Sequence, residues 1–150
     1  MNEKPIVLYT DHYINRKLCY SFAVGSKSLM CHVNNFNDYT KTIATYGFLR
    51  GTGEAIKKSK NFFYIDHGYF KQSSRKFKKV KTKLIDFDGY FRITYNDHWH
   101  NSLGNKSSDR FNSLGIQLKD LNKKGEYIIV SEPSFDDINY FNLNNWIDNT

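Results

Sequence analysis

Two short segments hold the side chains best suited to chemistry. Residues 61–70 (NFFYIDHGYF) and 90–101 (YFRITYNDHWHN) carry three of the five histidines, together with Asp66 and Asp97. In each, an aromatic and β-branched run stops at polar residues, as it would if a buried strand delivered Asp66 and His67, or Asp97, His98 and His100, to a rim. Asp66 and His67 suit acid/base catalysis: a turn at Gly68 would aim both at one pocket, with the carboxylate sharing the proton work or fixing the imidazole tautomer. The same pair serves equally as a strand end whose carboxylate caps backbone amides. His98 and His100, two residues apart, would share one face of an extended segment and could ligate a metal, with Trp99 directed into the core. A third ligand at recognisable spacing is missing, so the competing reading is surface histidines beside a packed tryptophan. Neither Cys19 nor Cys31 has a nucleophile motif around it, and no Gly-x-Ser-x-Gly elbow exists, which argues against Ser- and Cys-type hydrolases.

The net charge of +7 is localised. Lys71, Arg75, Lys76, Lys78, Lys79, Lys81 and Lys83 lie in 13 residues without an acid and account for the whole surplus. The run reads either as a solvated connection between strands or as a surface facing phosphate or nucleic acid, with Arg75, Lys76, Lys78 and Lys79 at its centre. A lysine-rich patch attracts backbone charge and does not read bases.

These groups need a scaffold. One domain is the default for 150 residues, and 11 Tyr, 12 Phe and 2 Trp make its core aromatic-rich. Two cysteines are too few for a disulfide framework and are expected to be reduced. No apolar run reaches the roughly 20 residues that span a bilayer, so no membrane partner and a cytoplasmic location are expected. Residues 6–9 (IVLY) read as a buried strand, with Thr10 or Asp11 capping a helix whose stripe is Ile14, Leu18 and Phe22 and whose stop is Gly25. Strands follow at 29–33 and 43–49, then a helix at 54–60 with Glu54 and Lys58 correctly spaced for an ion pair. Further strands are read at 62–65, 90–95 and 127–130, a short helix from Ser107 or Ser108 to Gly115, and a terminal helix opening at Asp136 and Asp137. The β-then-α order predicts a three-layer α/β sandwich with a mainly parallel sheet, its core including Leu8, Ile43, Phe63, Ile65, Ile93 and Ile129. Ligands of such sheets gather outside the carboxyl ends of the strands. This selects Asp11, the turn Arg50, Gly51, Thr52 and Gly53, and Ser131 and Glu132 as the substrate or phosphate set, with Asp66 and His67 as the catalytic pair. The Arg-Gly-Thr-Gly turn reads as a backbone nest for an anion or simply as a structural turn; it is neither a dinucleotide fingerprint nor a Walker loop.

The order of motifs, FLRGTGEAIKKSKNFFYIDHGYF, then GYFRITYNDHWHNSLG, then DRFNSLGIQLKDLNKKGEYIIVSEPS, resembles a family of phage-encoded glycosyltransferase-like proteins of the two-domain GT-B arrangement. The similarity runs from Phe48 to Ser134, and its most specific pieces are YIDHGYF and YFRITYN. The resemblance implies a Rossmann-like acceptor domain over residues 1–124 and the first strand and helix of a donor domain over 125–150, one half of a GT-B fold. It further implies a nucleotide-sugar donor, a hydroxyl acceptor, no obligatory metal, a polypeptide supplying the remaining half, and a host cytoplasm for a phage protein. The alternative class is a non-enzymatic module that holds a nucleic-acid backbone on the basic run.

Overall fold

The computed structural model describes residues 4–68, 91–99, 109–117 and 130–148. The chain divides into two compact units, Met1–Leu103 and Gly104–Thr150.

The first unit contains a five-stranded sheet. Strand β1 (Ile6–Tyr9) leads into helix α1 (Tyr13–Ser26), then β2 (Met30–His32) and a single 3₁₀ turn at Val33–Asn35. Strand β3 (Ile43–Tyr46) precedes helix α2 (Thr52–Lys58), and β4 (Phe62–His67) and β5 (Phe91–Tyr95) complete the sheet. The spatial order is β2-β1-β3-β4-β5. The first four strands are parallel; β5 runs antiparallel to β4, with Tyr64 opposite Thr94 and Asp66 opposite Arg92. The fold is therefore α/β with a mostly parallel sheet, compatible with a Rossmann-like arrangement.

Strand alternation divides the core in two. Leu8, Ile43 and Tyr64 point to the face where Ala55 and Ile56 of α2 and Val33 pack; Val7 and Ala44 point to the face covered by Cys19 and Ala23 of α1. The α1 stripe is rotated one residue from the expected one. Asn15, Cys19 and Ala23 are its buried residues, because small side chains let the helix axis approach the sheet, and Ile14, Leu18 and Phe22 flank them. No side chain caps α1: its N-cap is His12, whose amide donates to Thr10 Oγ1, in place of Thr10 or Asp11. The helix passes Gly25 and ends at Lys27 in the left-handed region (φ 54°). On α2, Glu54 pairs with Lys57 at 3.8 Å, while Lys58 Nζ lies over the Tyr39 ring.

Of the expected sheet core, Leu8, Ile43 and Ile65 are buried and Phe63 is half-buried. Ile93 is not core. It is 49% exposed, because β5 is the edge strand and turns Arg92 and Thr94 to the buried side, leaving Ile93 and Tyr95 outward. Ile129 and most of the strand expected at 127–130 lie outside the described residues; Val130 is exposed and not in a strand.

The second unit contains α3 (Asp109–Asn112) and α4 (Phe135–Phe141) among the described residues. Ser134 caps α4 by accepting from the Asp137 amide, and the acidic first turn, Asp136 and Asp137, faces the positive helix end. Gly115 (φ 63°) takes a left-handed turn just after α3.

Candidate functional site

The sheet order reverses at β1: β2 lies on one side and β3 on the other. At such a point the loops leaving the two central strands depart to opposite faces and open a crevice at their carboxyl ends. Asn15 spans it. Buried at the first turn of α1, it accepts from the Thr10 amide at 2.8 Å and donates to the Tyr46 carbonyl at 2.9 Å, tying the end of β1 to the end of β3. Sequence reasoning passed over Asn15; its signal was a polar residue in the middle of an apolar helical stripe.

A histidine and an arginine stand on the two loops that flank this reversal. Burial lowers the His12 pKa from 6.5, and the Arg50 guanidinium lowers it further, which brings the loop after β1 and the loop after β3 within electrostatic reach. Arg50 is exposed and held at φ 60°, a left-handed conformation that costs a non-glycine residue roughly 1 kcal/mol. Asp11 turns toward the end of β2, 3.4 Å from His32 Nε2. His32 Nδ1 accepts from the Asn34 amide, so the neutral ring carries its proton on Nε2, facing that carboxylate.

The Arg-Gly-Thr-Gly turn is largely self-satisfied. The Gly53 amide donates to the Phe48 carbonyl, the Thr52 amide to the Leu49 carbonyl, and Thr52 Oγ1 to the Gly47 and Leu49 carbonyls. Thr52 and Gly53 are buried, so the expected anion nest reduces to the Arg50 side chain and the exposed Gly51.

Asp66 and His67 do not share a pocket. Both belong to β4, so alternation sends them to opposite faces. Asp66 joins a buried cluster on the α2 side: Arg92, itself 7% exposed, donates to Asp66 Oδ2 at 3.0 Å and to the His98 carbonyl at 2.6 Å. The Tyr64 hydroxyl also reaches Oδ2, at 3.3 Å, and Oδ1 accepts from the His67 amide at 2.7 Å. Both carboxylate oxygens are thus engaged, and Asp66 acts as a strut between β4 and β5. His67 lies on the α1 side, where its Nε2 is 2.8 Å from the Tyr46 hydroxyl. The His67 ring packs against Tyr46 and Phe91, with centroids 5.8 and 5.5 Å away. Arg92 and Tyr46, which complete these two arrangements, were visible in sequence only as members of strand runs.

His98 is directed inward. Its ring packs on Tyr64 and Phe62 at 4.9 and 5.3 Å, and burial lowers its pKa, with Asp97 opposing and Arg92 reinforcing the shift. Trp99, expected in the core, is 47% exposed and lies beside the Arg92 guanidinium. Thr94 Oγ1 donates to the Asp97 carbonyl, and Asp97 Oδ1 accepts from the Trp99 amide, closing the turn that presents these rings. Among the described residues no group of three His, Cys, Asp or Glu side chains could hold a metal. His100, and the basic candidates Arg75, Lys76, Lys78 and Lys79, lie outside the described residues.

Ser131 and Glu132 belong to the second unit and are exposed. Both cysteines are free; burial pushes the Cys19 thiol up to about 12, so it remains protonated and donates to the Leu8 carbonyl. Among the described residues no helix is long and apolar enough to cross a membrane. Comparison with protein-family models, curated proteins and solved structures finds no match.

Proposed function

We propose that the chain is a glycosyltransferase-like module of Rossmann-like, three-layer design, and that it receives the charged part of a nucleotide-sugar in the crevice at the carboxyl ends of β1 and β3. The observation that carries this reading is the strand-order reversal, with Arg50 on the loop after β3 acting electrostatically on His12 before α1. Open α/β sheets take their ligands at that point. The Arg50 guanidinium disfavours a proton on His12, and a diphosphate bound beside both would favour it, making the imidazole a second positive partner. Arg50 also stays in a conformation that glycine would adopt at lower cost, which is understandable if its guanidinium is needed where it stands. The resemblance of YIDHGYF and YFRITYN to phage glycosyltransferase-like proteins supplies the substrate class. The proton of the acceptor hydroxyl falls to His67, since Asp66 is engaged at both oxygens.

The test is thermal unfolding in the presence of a panel of nucleotide-sugars. Binding at 100 times Kd adds about 2.7 kcal/mol of stability, enough to read as a shift of several degrees. Stabilisation by at least one donor, weakened in Arg50→Ala, supports the assignment. Absence of any shift, with single-stranded nucleic acid bound along a steep salt dependence instead, would replace it with the nucleic-acid module.

A further inference from the structure

We propose that Tyr46 meets the acceptor hydroxyl and that His67 draws the proton through it, a relay that deepens the transferase reading above. Tyr46 ends β3 and His67 ends β4, on the same face and at the carboxyl edge of the sheet. The Tyr46 hydroxyl and His67 Nε2 are 2.8 Å apart, within the range for proton transfer. His67 Nδ1 is buried, and Nε2 is engaged by Tyr46. This contact offers the imidazole a proton path to a ligand through the tyrosine oxygen. The Tyr46 main chain is fixed by the Asn15 amide on its carbonyl, and its ring meets His67 and Phe91 edge-on, so the hydroxyl is held on a defined line.

The chemistry balances. In the tautomer with Nε2 unprotonated, the imidazole can accept the proton of the Tyr46 hydroxyl, whose oxygen can in turn accept one from a ligand hydroxyl. As the acceptor O–H bond breaks, its proton passes to the Tyr46 oxygen while the proton of Tyr46 moves to His67 Nε2. The freed acceptor oxygen bonds to the anomeric carbon of the donor. The bond from that carbon to the phosphate oxygen breaks, and its electron pair leaves with the nucleoside diphosphate. The imidazolium then returns its proton to the Tyr46 oxygen as that hydroxyl gives up its own to solvent, which restores the starting state.

The experiment requires no nucleotide-sugar. The full chain is treated with p-nitrophenyl acetate and the acetylated tyrosines are mapped by peptide mass spectrometry. An oxygen whose proton is drawn off by His67 is acylated roughly a hundredfold faster than the other tyrosines, the low side of what a positioned base contributes. His67→Asn and His67→Gln should both reduce Tyr46 to the rate of the others. Gln matters because its amide can occupy the Nε2 position and keep the contact but cannot take a proton. Labelling of Tyr46 no faster than of the other tyrosines, or rapid labelling that survives His67→Gln, would overturn the relay. Rapid, His67-dependent labelling in a chain that no nucleotide-sugar stabilises would retain the relay and remove the transferase reading.

Discussion

Removing the Arg92 guanidinium leaves the Asp66 carboxylate, only 30% exposed, without its ion partner and frees the His98 carbonyl. Arg92→Met should therefore destabilise by roughly 3 kcal/mol, the usual result of stranding one member of a buried pair, read from denaturant midpoints. A small effect would mean that the cluster is solvated. Thr45 gives the opposite expectation. Its hydroxyl is fully buried with no hydrogen-bond partner among the described residues, so Thr45→Val, which keeps the branched shape, should be neutral or stabilising by about 1 kcal/mol. His98 sets a pH dependence. Its folded pKa lies below the unfolded value of 6.5, so the unfolded chain binds the proton first: the contribution is complete above pH 6.5 and is lost as pH falls toward the folded value. His98→Gln should flatten the stability profile below pH 6.5, and an unchanged slope would contradict the burial assigned to the ring. Asp66 and His67 were legible in sequence as interesting residues but not as members of different clusters. Their assignment depended on whether the strand stopped before Asp66 or ran through His67. That single boundary decides which face each side chain takes.

Element order was readable from hydrophobic runs, because β1, β3 and β4 are short apolar segments and α1 has a regular stripe. The stripe centre was less legible: apolar size marks Ile14, Leu18 and Phe22, whereas contact with the sheet selects the smaller Asn15, Cys19 and Ala23. Helix ends were missed for a related reason. Gly25 looked like the stop, yet Lys27 adopts the left-handed turn and donates its amide to the Ala23 and Val24 carbonyls. Lys27→Gly should consequently raise stability by about 0.5–1 kcal/mol, measured by thermal unfolding, since it removes a Cβ penalty at an exposed position. A loss of stability would place the helix end elsewhere. Strand β5 could be located but not its direction, which depends on pairing with β4 and leaves no periodic mark in the residues themselves.

Across the whole molecule, the reversal of strand order is the feature that gives the candidate site its position, and it is set by long-range pairing that no local pattern announces. Single residues stand around it: Asn15 joins the two strand ends, Arg50 acts electrostatically on His12, and Tyr46 and His67 meet at the ends of β3 and β4. Among the described residues, all five strands lie in Met1–Leu103. The most direct measurement of the central claim is backbone chemical-shift mapping of the full chain titrated with the nucleotide-sugar panel. The account predicts that the perturbed amides cluster at residues 10–15 and 46–52, with the response weakened in Arg50→Ala. Saturable perturbations confined to residues 71–83, or none at the ends of β1 and β3 for any donor, would contradict it.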